Sequence, residues 1–217
     1  MEISFNNKKK KKSQSCHSSL KGDIKELKKI VLVGNPNVGK SVLFNRLSKA
    51  YVTVSNYPGT TVTIDTGKAV IGNTVYGILD TPGMYSFTPI TEEERVARNV
   101  LLERKPDIIL HIVDAKNIDR MLHLTVELIE ANLPVILVLN MMDETEERGL
   151  KINIESIEKM LDIPVVGTVS TTGKGIDVLK KRIIEFKKKK IKETEYNPIL
   201  EDSTKTIIKN LKETYPI

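Results

Sequence analysis

Short apolar runs alternate along this chain with longer stretches in which apolar residues recur every three to four positions, the pattern of strands interleaved with amphipathic helices. Ile30–Val33, Ile108–Val113 and Pro134–Leu139 are unbroken apolar runs of strand length, as strands covered on both faces should be. A helix is expected from about Lys40 to Ser48. Two strands follow near Val62–Ile71 and Thr74–Leu79, joined through Gly72-Asn73 as a tight hairpin. Met121, Leu122, Leu124, Leu128 and Ile129 mark a helix between the strands at 108 and 134, which makes a βαβ unit. A helix near Ile154–Leu161, a strand at Val165–Val169 and a helix at Ile176–Phe186 complete the series. The expected fold is α/β: a six-stranded, mostly parallel sheet flanked by helices.

The ends differ from this middle. Residues 1–27 are rich in Lys, Ser and Asn without apolar periodicity and read as a disordered leader. Residues 28–190 form the folded domain. Tyr196–Pro198 reads as a break, and Ile199–Leu211 has helical spacing, so residues 191–217 read as the start of a truncated helical region.

Composition narrows the classes. Of 217 residues, 40% are hydrophobic and 29% charged, the balance of a folded globular chain. No run approaches the roughly 18 apolar residues of a membrane helix, and no apolar signal core follows the N-terminal lysines. Cys16 is the single cysteine, so no internal disulfide can form, and a reducing cytoplasm is the expected compartment. The net charge of +6 comes from two lysine runs, Lys8–Lys12 and Lys187–Lys190; without them the chain is net acidic. A solvated tail and a lysine-rich helix end explain those runs, and a patch touching anionic lipid or RNA is the other reading.

The chemistry lies in the loops after the strands. Gly34-Asn35-Pro36-Asn37-Val38-Gly39-Lys40-Ser41 fits G-x-x-x-x-G-K-[ST] between a strand and a helix that continues with Val42. In that context the backbone N–H groups wrap phosphate oxygens, Lys40 reaches the β- and γ-phosphates, and the Ser41 hydroxyl ligates Mg²⁺. Asp80-Thr81-Pro82-Gly83 ends a strand about forty residues later, placing a carboxylate for the magnesium and the Gly83 N–H beside the γ-phosphate. Asn140-Met141-Met142-Asp143 ends another strand, where Asp143 can accept both the N1–H and the exocyclic amine of guanine. Adenine lacks that donor pair and would leave the carboxylate unpaired, which selects GTP and GDP. Asn140 is expected to tie this loop to the phosphate loop and touch the base. Ser170-Thr171-Thr172 could bring a backbone N–H and a hydroxyl to the guanine carbonyl, although turn formation ahead of Gly173 explains it nearly as well. The polar loop Val54–Thr61, containing Asn56-Tyr57-Pro58-Gly59-Thr60-Thr61, is expected to close over the nucleotide, with Thr61 as a second magnesium hydroxyl. His111 and His123 read as structural.

These elements in this order, over residues 30–186, resemble the translation-factor-related P-loop GTPases of Ras-like fold. More narrowly they resemble the cytoplasmic G domain of the ferrous iron transport protein B (FeoB) family. The likeness rests on the motifs above together with Asp80–Ser86, Glu92–Leu102 and Val113-Asp114-Ala115. It implies slow GTP hydrolysis at the cytoplasmic face of the cell membrane, controlling an iron permease in cis or on a separate chain, with a homo-oligomer left open. Met141 stands where most GTPases have lysine, as it does in this family. Met84 stands where Ras-like enzymes place a water-orienting glutamine, so hydrolysis cannot use that side chain. The resemblance also implies that Asn37 helps bind K⁺ at the phosphates. Family members continue into a helical domain and a permease. The chain therefore reads as a fragment or one half of a split system, unable to conduct iron alone. An RNA-binding GTPase of ribosome assembly is the alternative, but the aromatic-plus-basic pattern of an RNA module is missing, and no nucleic acid is expected. A scaffold that binds nucleotide without hydrolysing it is kept open by Met84. Cys16-His17 is a poor closed metal site with only two ligands.

Overall fold

The computed structural model describes residues 27–48 and 50–188. The leader, its lysine run, Cys16-His17, Lys189-Lys190 and the helix expected at Ile199–Leu211 lie outside the described residues.

The strands are β1 (Lys28–Val33), β2 (Ala50–Asn56), β3 (Thr63–Ile71), β4 (Thr74–Asp80), β5 (Ile108–Asp114), β6 (Val135–Asn140) and β7 (Val165–Gly167). The helices are α1 (Lys40–Leu47), α2 (Glu92–Glu103), α3 (Ile118–Glu130), α4 (Met142–Glu147), α5 (Ile154–Leu161) and α6 (Ile176–Glu185). The strands form one sheet in the order β2-β3-β4-β1-β5-β6-β7. β4, β1, β5, β6 and β7 run parallel, while β2 and β3 add an antiparallel edge.

The expected sheet of six strands is thus corrected to seven. The added strand, β2, takes in Val54-Ser55-Asn56, which the sequence suggested as loop. Thr53 to Asn56 are all exposed, Val54 included; Ala50–Val54 is rich in β-forming residues, with Val52 and Val54 two apart, but the run passes straight into Ser55-Asn56-Tyr57-Pro58-Gly59, whose polar and turn residues read as loop. Helix α2 also went unpredicted, although Thr91-x-x-Glu94 is a capping-box signature. Glu94 N–H donates to the Thr91 hydroxyl while the Thr91 N–H donates back to the Glu94 carboxylate, each at 3.2 Å.

Side-chain alternation along the parallel strands divides the core. Ile30 and Leu32 of β1, with Leu110 and Ile112 of β5, face Leu43, Phe44 and Leu47 of α1 and Leu179 and Ile183 of α6. Val31 and Val33 face the other way, toward Val96 and Val100 of α2 and Leu124 and Leu128 of α3. Each such buried aliphatic stabilises the fold by about 1.5–3 kcal/mol. His111 belongs to this core: it is fully buried, its Nδ1 lies 2.9 Å from the Thr125 hydroxyl, and burial pushes its pKa down to about 3. It is a neutral packing residue.

Candidate functional site

The carboxyl ends of β1, β4, β6 and β7 carry four of the five sequence motifs to one end of the sheet. Crossover connections put helices on both faces, so loops from neighbouring strands meet where the strands end.

The loop after β1 turns through left-handed backbone at Asn37 (φ 63°) and Gly39 (φ 89°) before α1 starts at Lys40. Gly34 is required by space: a Cβ there would lie 2.1 Å from the Ile112 carbonyl oxygen. The Lys40 ammonium donates to the Asn35 carbonyl at 2.9 Å, closing the loop on itself. Burial pulls its pKa below the usual lysine value, with the Asp80 carboxylate acting against that shift. Asp80 moves the other way: burial raises its pKa, and the bond from Ser41 opposes this.

Ser41 Oγ donates to Asp80 Oδ2 at 2.7 Å, so the two expected magnesium ligands are in direct contact. Asp80 Oδ1 is buried without a hydrogen-bond partner among the described residues. A hydroxyl against a carboxylate with a spare oxygen is a donor set that suits a hard divalent cation. The Asp80–Gly83 segment is held against β1, since Thr81 Oγ1 donates to the Leu32 carbonyl at 2.7 Å and Met84 N–H donates to the Gly34 carbonyl at 3.1 Å. Gly83 packs beneath Pro36, where an added Cβ would meet Pro36 Cγ at 2.6 Å. Met84 is fully buried in the core beyond, so its side chain faces away from the phosphate loop.

Asn140 is the hub of the base side. Its amide donates to the Val38 carbonyl at 2.9 Å, and its Oδ1 accepts from Thr168 Oγ1 at 3.1 Å, Ser170 N at 2.9 Å and Ser170 Oγ at 2.8 Å. One buried side chain therefore joins the β1, β6 and β7 loops; the tie to the phosphate loop was expected, and the tie to the Ser170 loop is an addition. Met141 takes left-handed backbone (φ 62°) and sends Asp143 into the first turn of α4. The Asp143 carboxylate accepts no hydrogen bond from the described residues. The Ser170 hydroxyl is committed to Asn140, and the Thr172 hydroxyl donates to the Val169 carbonyl at 3.4 Å, so of the expected Ser170–Thr172 contacts the backbone N–H and the hydroxyl of Thr171 are left available among the described residues.

The loop expected to close over the nucleotide is a tight hairpin turn here. Tyr57 N–H donates to Val62 O at 2.8 Å, and Thr60 closes back on the Tyr57 carbonyl through its N–H at 3.1 Å and its hydroxyl at 3.0 Å. Pro58, Gly59 and Thr61 are exposed. Asp65 pairs with Asp80 across β3 and β4, and Thr61 lies four residues further out, roughly 13 Å along an extended strand. Thr61 is not gathered with Ser41 and Asp80 in this conformation.

Several contacts were missed by the sequence reading. Glu94 accepts backbone N–H bonds from Tyr85 at 3.2 Å and Ile90 at 2.9 Å; the Ile90 bond leads in holding its pKa below the usual carboxylate value. Glu127 accepts from Ser86 Oγ at 2.9 Å and Phe87 N at 2.7 Å, so two acids pin the segment after Gly83. Lys116, after β5, pairs with Glu144 beside Asp143. Arg46 of α1 donates to the Ser170 and Thr171 carbonyls. The pairs made by Glu127, Lys116 and Arg46 are long-range and leave no signature in spacing, whereas Glu94 carries the capping-box signature.

A glycine loop between β1 and α1, a Ser–Asp pair beside it and an Asn hub linking it to the β6 and β7 loops define a P-loop GTPase domain. The profile of the ferrous iron transport protein B family matches residues 28–183, and the chain belongs to that family. Among curated relatives, a fusion of Fe(2+) transport protein A with Fe(2+) transporter FeoB from Porphyromonas gingivalis is 43% identical over 152 residues, covering 70% of this chain and 18% of the relative. The Escherichia coli K12 Fe(2+) transporter FeoB is 38% identical over 162 residues, or 73% of this chain and 21% of that one. The chain spans about a fifth of the length of these relatives. Among solved structures, the cytosolic domain of Thermotoga maritima FeoB in a GDP form superposes with a TM-score of 0.77 at 34% identity, covering 86% of this chain and 75% of that one.

Proposed function

We propose that this chain binds GTP and GDP with Mg²⁺ and hydrolyses GTP slowly, as the cytoplasmic nucleotide domain of a ferrous iron transport system. The observation that carries the reading is Asn140, which fastens the Asp143 loop and the Ser170 loop to the phosphate loop, so that one nucleotide can be met at its base and its phosphates together. Curated relatives of this chain are named as Fe(2+) transporters, and the similar cytosolic domain of Thermotoga maritima FeoB is a GDP form. An RNA-binding role in ribosome assembly has no such support and is set aside.

Ser41 and Asp80 would hold Mg²⁺, which supplies positive charge to the β- and γ-phosphates. Thr61 would join them once the β2–β3 turn folds inward. Lys40, already buried beside Asp80, neutralises phosphate charge, and the Gly83 N–H faces the γ-phosphate. With Met84 buried, no side chain from that position orients water. The membrane permease acts in cis or as a separate chain; no described helix is long and apolar enough to cross a membrane.

Asp143→Asn tests the base assignment. An amide presents a donor to a base edge that also donates, so GTP affinity should fall roughly 100-fold while xanthosine triphosphate binding improves. Unchanged GTP affinity in a fluorescent-nucleotide titration overturns the assignment.

The charge that an arginine finger provides elsewhere would come here from K⁺ held by Asn37, which is exposed on a left-handed turn of the phosphate loop, and by carbonyls near Asn56 and Tyr57. Replacing KCl with NaCl at fixed ionic strength should slow turnover several-fold. Equal rates in both salts, or full stimulation surviving in Asn37→Ala, would remove potassium from the site.

A further inference from the structure

Arg46 projects from the last turn of α1, the helix whose first residue is the phosphate-binding Lys40. Its Nε donates to the Ser170 carbonyl at 3.0 Å, and a terminal guanidinium nitrogen donates to the Thr171 carbonyl. The planar fork lies under the whole turn, because a Cβ built on Gly173 would sit 3.5 Å from the Arg46 Nη1 atom. On the inner side, Ser170 N and Oγ are held by Asn140. The Ser170–Thr171 peptide is therefore gripped from two sides, by a buried amide and by a cation.

We propose that Arg46 is a positioning residue for base recognition: by fixing the Ser170 carbonyl outward, it aims the Thr171 N–H inward at the carbonyl oxygen of guanine. This deepens the guanine reading above and rests on it. The physical reason is the trans peptide, in which C=O and N–H point in opposite directions in one plane, so a donor that fixes one end fixes the other. A charged donor on the carbonyl also polarises the peptide and strengthens its N–H as a donor. The Thr171 N–H has no acceptor among the described residues. Arginine suits the role because two adjacent carbonyls accept from its rigid fork at once, whereas lysine offers a point charge. A helix-end cation that merely offsets the α1 dipole would need no such aim.

The test uses the full chain as wild type, Arg46→Ala and Arg46→Lys, each titrated with GDP and with 6-thioguanosine diphosphate. That analogue keeps the N1–H and the amine and replaces the carbonyl oxygen with sulfur, a weak acceptor. Arg46→Ala should bind GDP about fivefold more weakly, mostly through faster release, with less than a roughly twofold change for the sulfur analogue; Arg46→Lys should fall between. Thermal unfolding checks that the variants are folded, as expected for an exposed side chain. Equal losses for the two nucleotides, or no loss for GDP, would overturn the proposal by reducing Arg46 to a scaffold contact. Wild-type protein that binds the two nucleotides equally would instead overturn the reading of a guanine carbonyl at this loop.

Discussion

The phosphate and base loops on the parallel half of the sheet contrast with the hairpin turn at its antiparallel edge. The first group is fixed by contacts that leave no room: Gly34 against the Ile112 carbonyl, Gly83 against Pro36, Gly39 against the Asn140 amide, and Asn140 tied to three loops. The second is held by its own backbone bonds, the Thr60 hydroxyl and the Tyr57 side chain at its base, and Gly59 at its tip has nothing within 4 Å of an added Cβ. Both regions are loops of similar polarity, so composition does not separate them. What separates them is whether the strands beneath are buried on both faces. A loop that leaves a fully buried strand such as β5 inherits neighbours on every side; one that joins the edge strand β2 to its neighbour β3 inherits water. The division suits a nucleotide switch, which needs a fixed cradle and a segment that can be recruited.

The largest expected effect comes from breaking this contrast with the same substitution on each side. Gly34→Ala forces a methyl group into backbone atoms that cannot yield, so the protein should lose more than about 3 kcal/mol of stability or fail to fold. Gly59→Ala meets only the strain of a positive φ of 79°, about 1 kcal/mol. Urea denaturation followed by circular dichroism compares them. Similar losses in the two variants would show that the cradle is no more constrained than the turn.

The same contrast explains which parts of the molecule were legible in the sequence. Buried parallel strands announce themselves as runs such as Val135–Leu139, and the loops after them carry residues whose chemistry admits few substitutes, so β1, β4, β5 and β6 and their motifs were found within a residue or two. The expected Val165–Val169 strand is shorter, ending at Gly167, because Val169 leaves the ladder to bridge Lys174 and start the Ser170 turn. Edge strand β2 was missed although Ala50–Val54 is rich in β-branched and aromatic residues, because its second half runs without a break into a polar Pro- and Gly-containing loop. Arg46 and Glu127 were invisible for another reason: each acts on backbone groups of a distant segment, and a carbonyl or an N–H is the same in every residue. The Ser41–Asp80 contact spans 39 positions and was found only because both side chains belong to motifs with known jobs.

The smallest expected effect is at the turn itself. The Tyr57 hydroxyl donates to the Glu103 carboxylate at the end of α2, which raises the tyrosine pKa, and the ring packs on the core formed with α2 and α3. That bond belongs to the conformation in which Thr61 stands well beyond Asp80. Recruiting Thr61 to the proposed magnesium site would require the turn to fold back, and the ring could not keep both Glu103 and a displaced backbone. Glu103 is exposed, so water replaces the lost donor and little folding stability depends on the pair, well under about 1 kcal/mol. Small as it is, the bond opposes only the recruited state. Tyr57→Phe should therefore leave GDP affinity unchanged and tighten binding of a non-hydrolysable GTP analogue by roughly twofold, a difference that paired titrations of one preparation resolve. Equal shifts for both nucleotides would detach the turn from the γ-phosphate. Weaker binding of the GTP analogue would assign the Tyr57–Glu103 bond to the closed state, making it a latch over the nucleotide and not a restraint on closing.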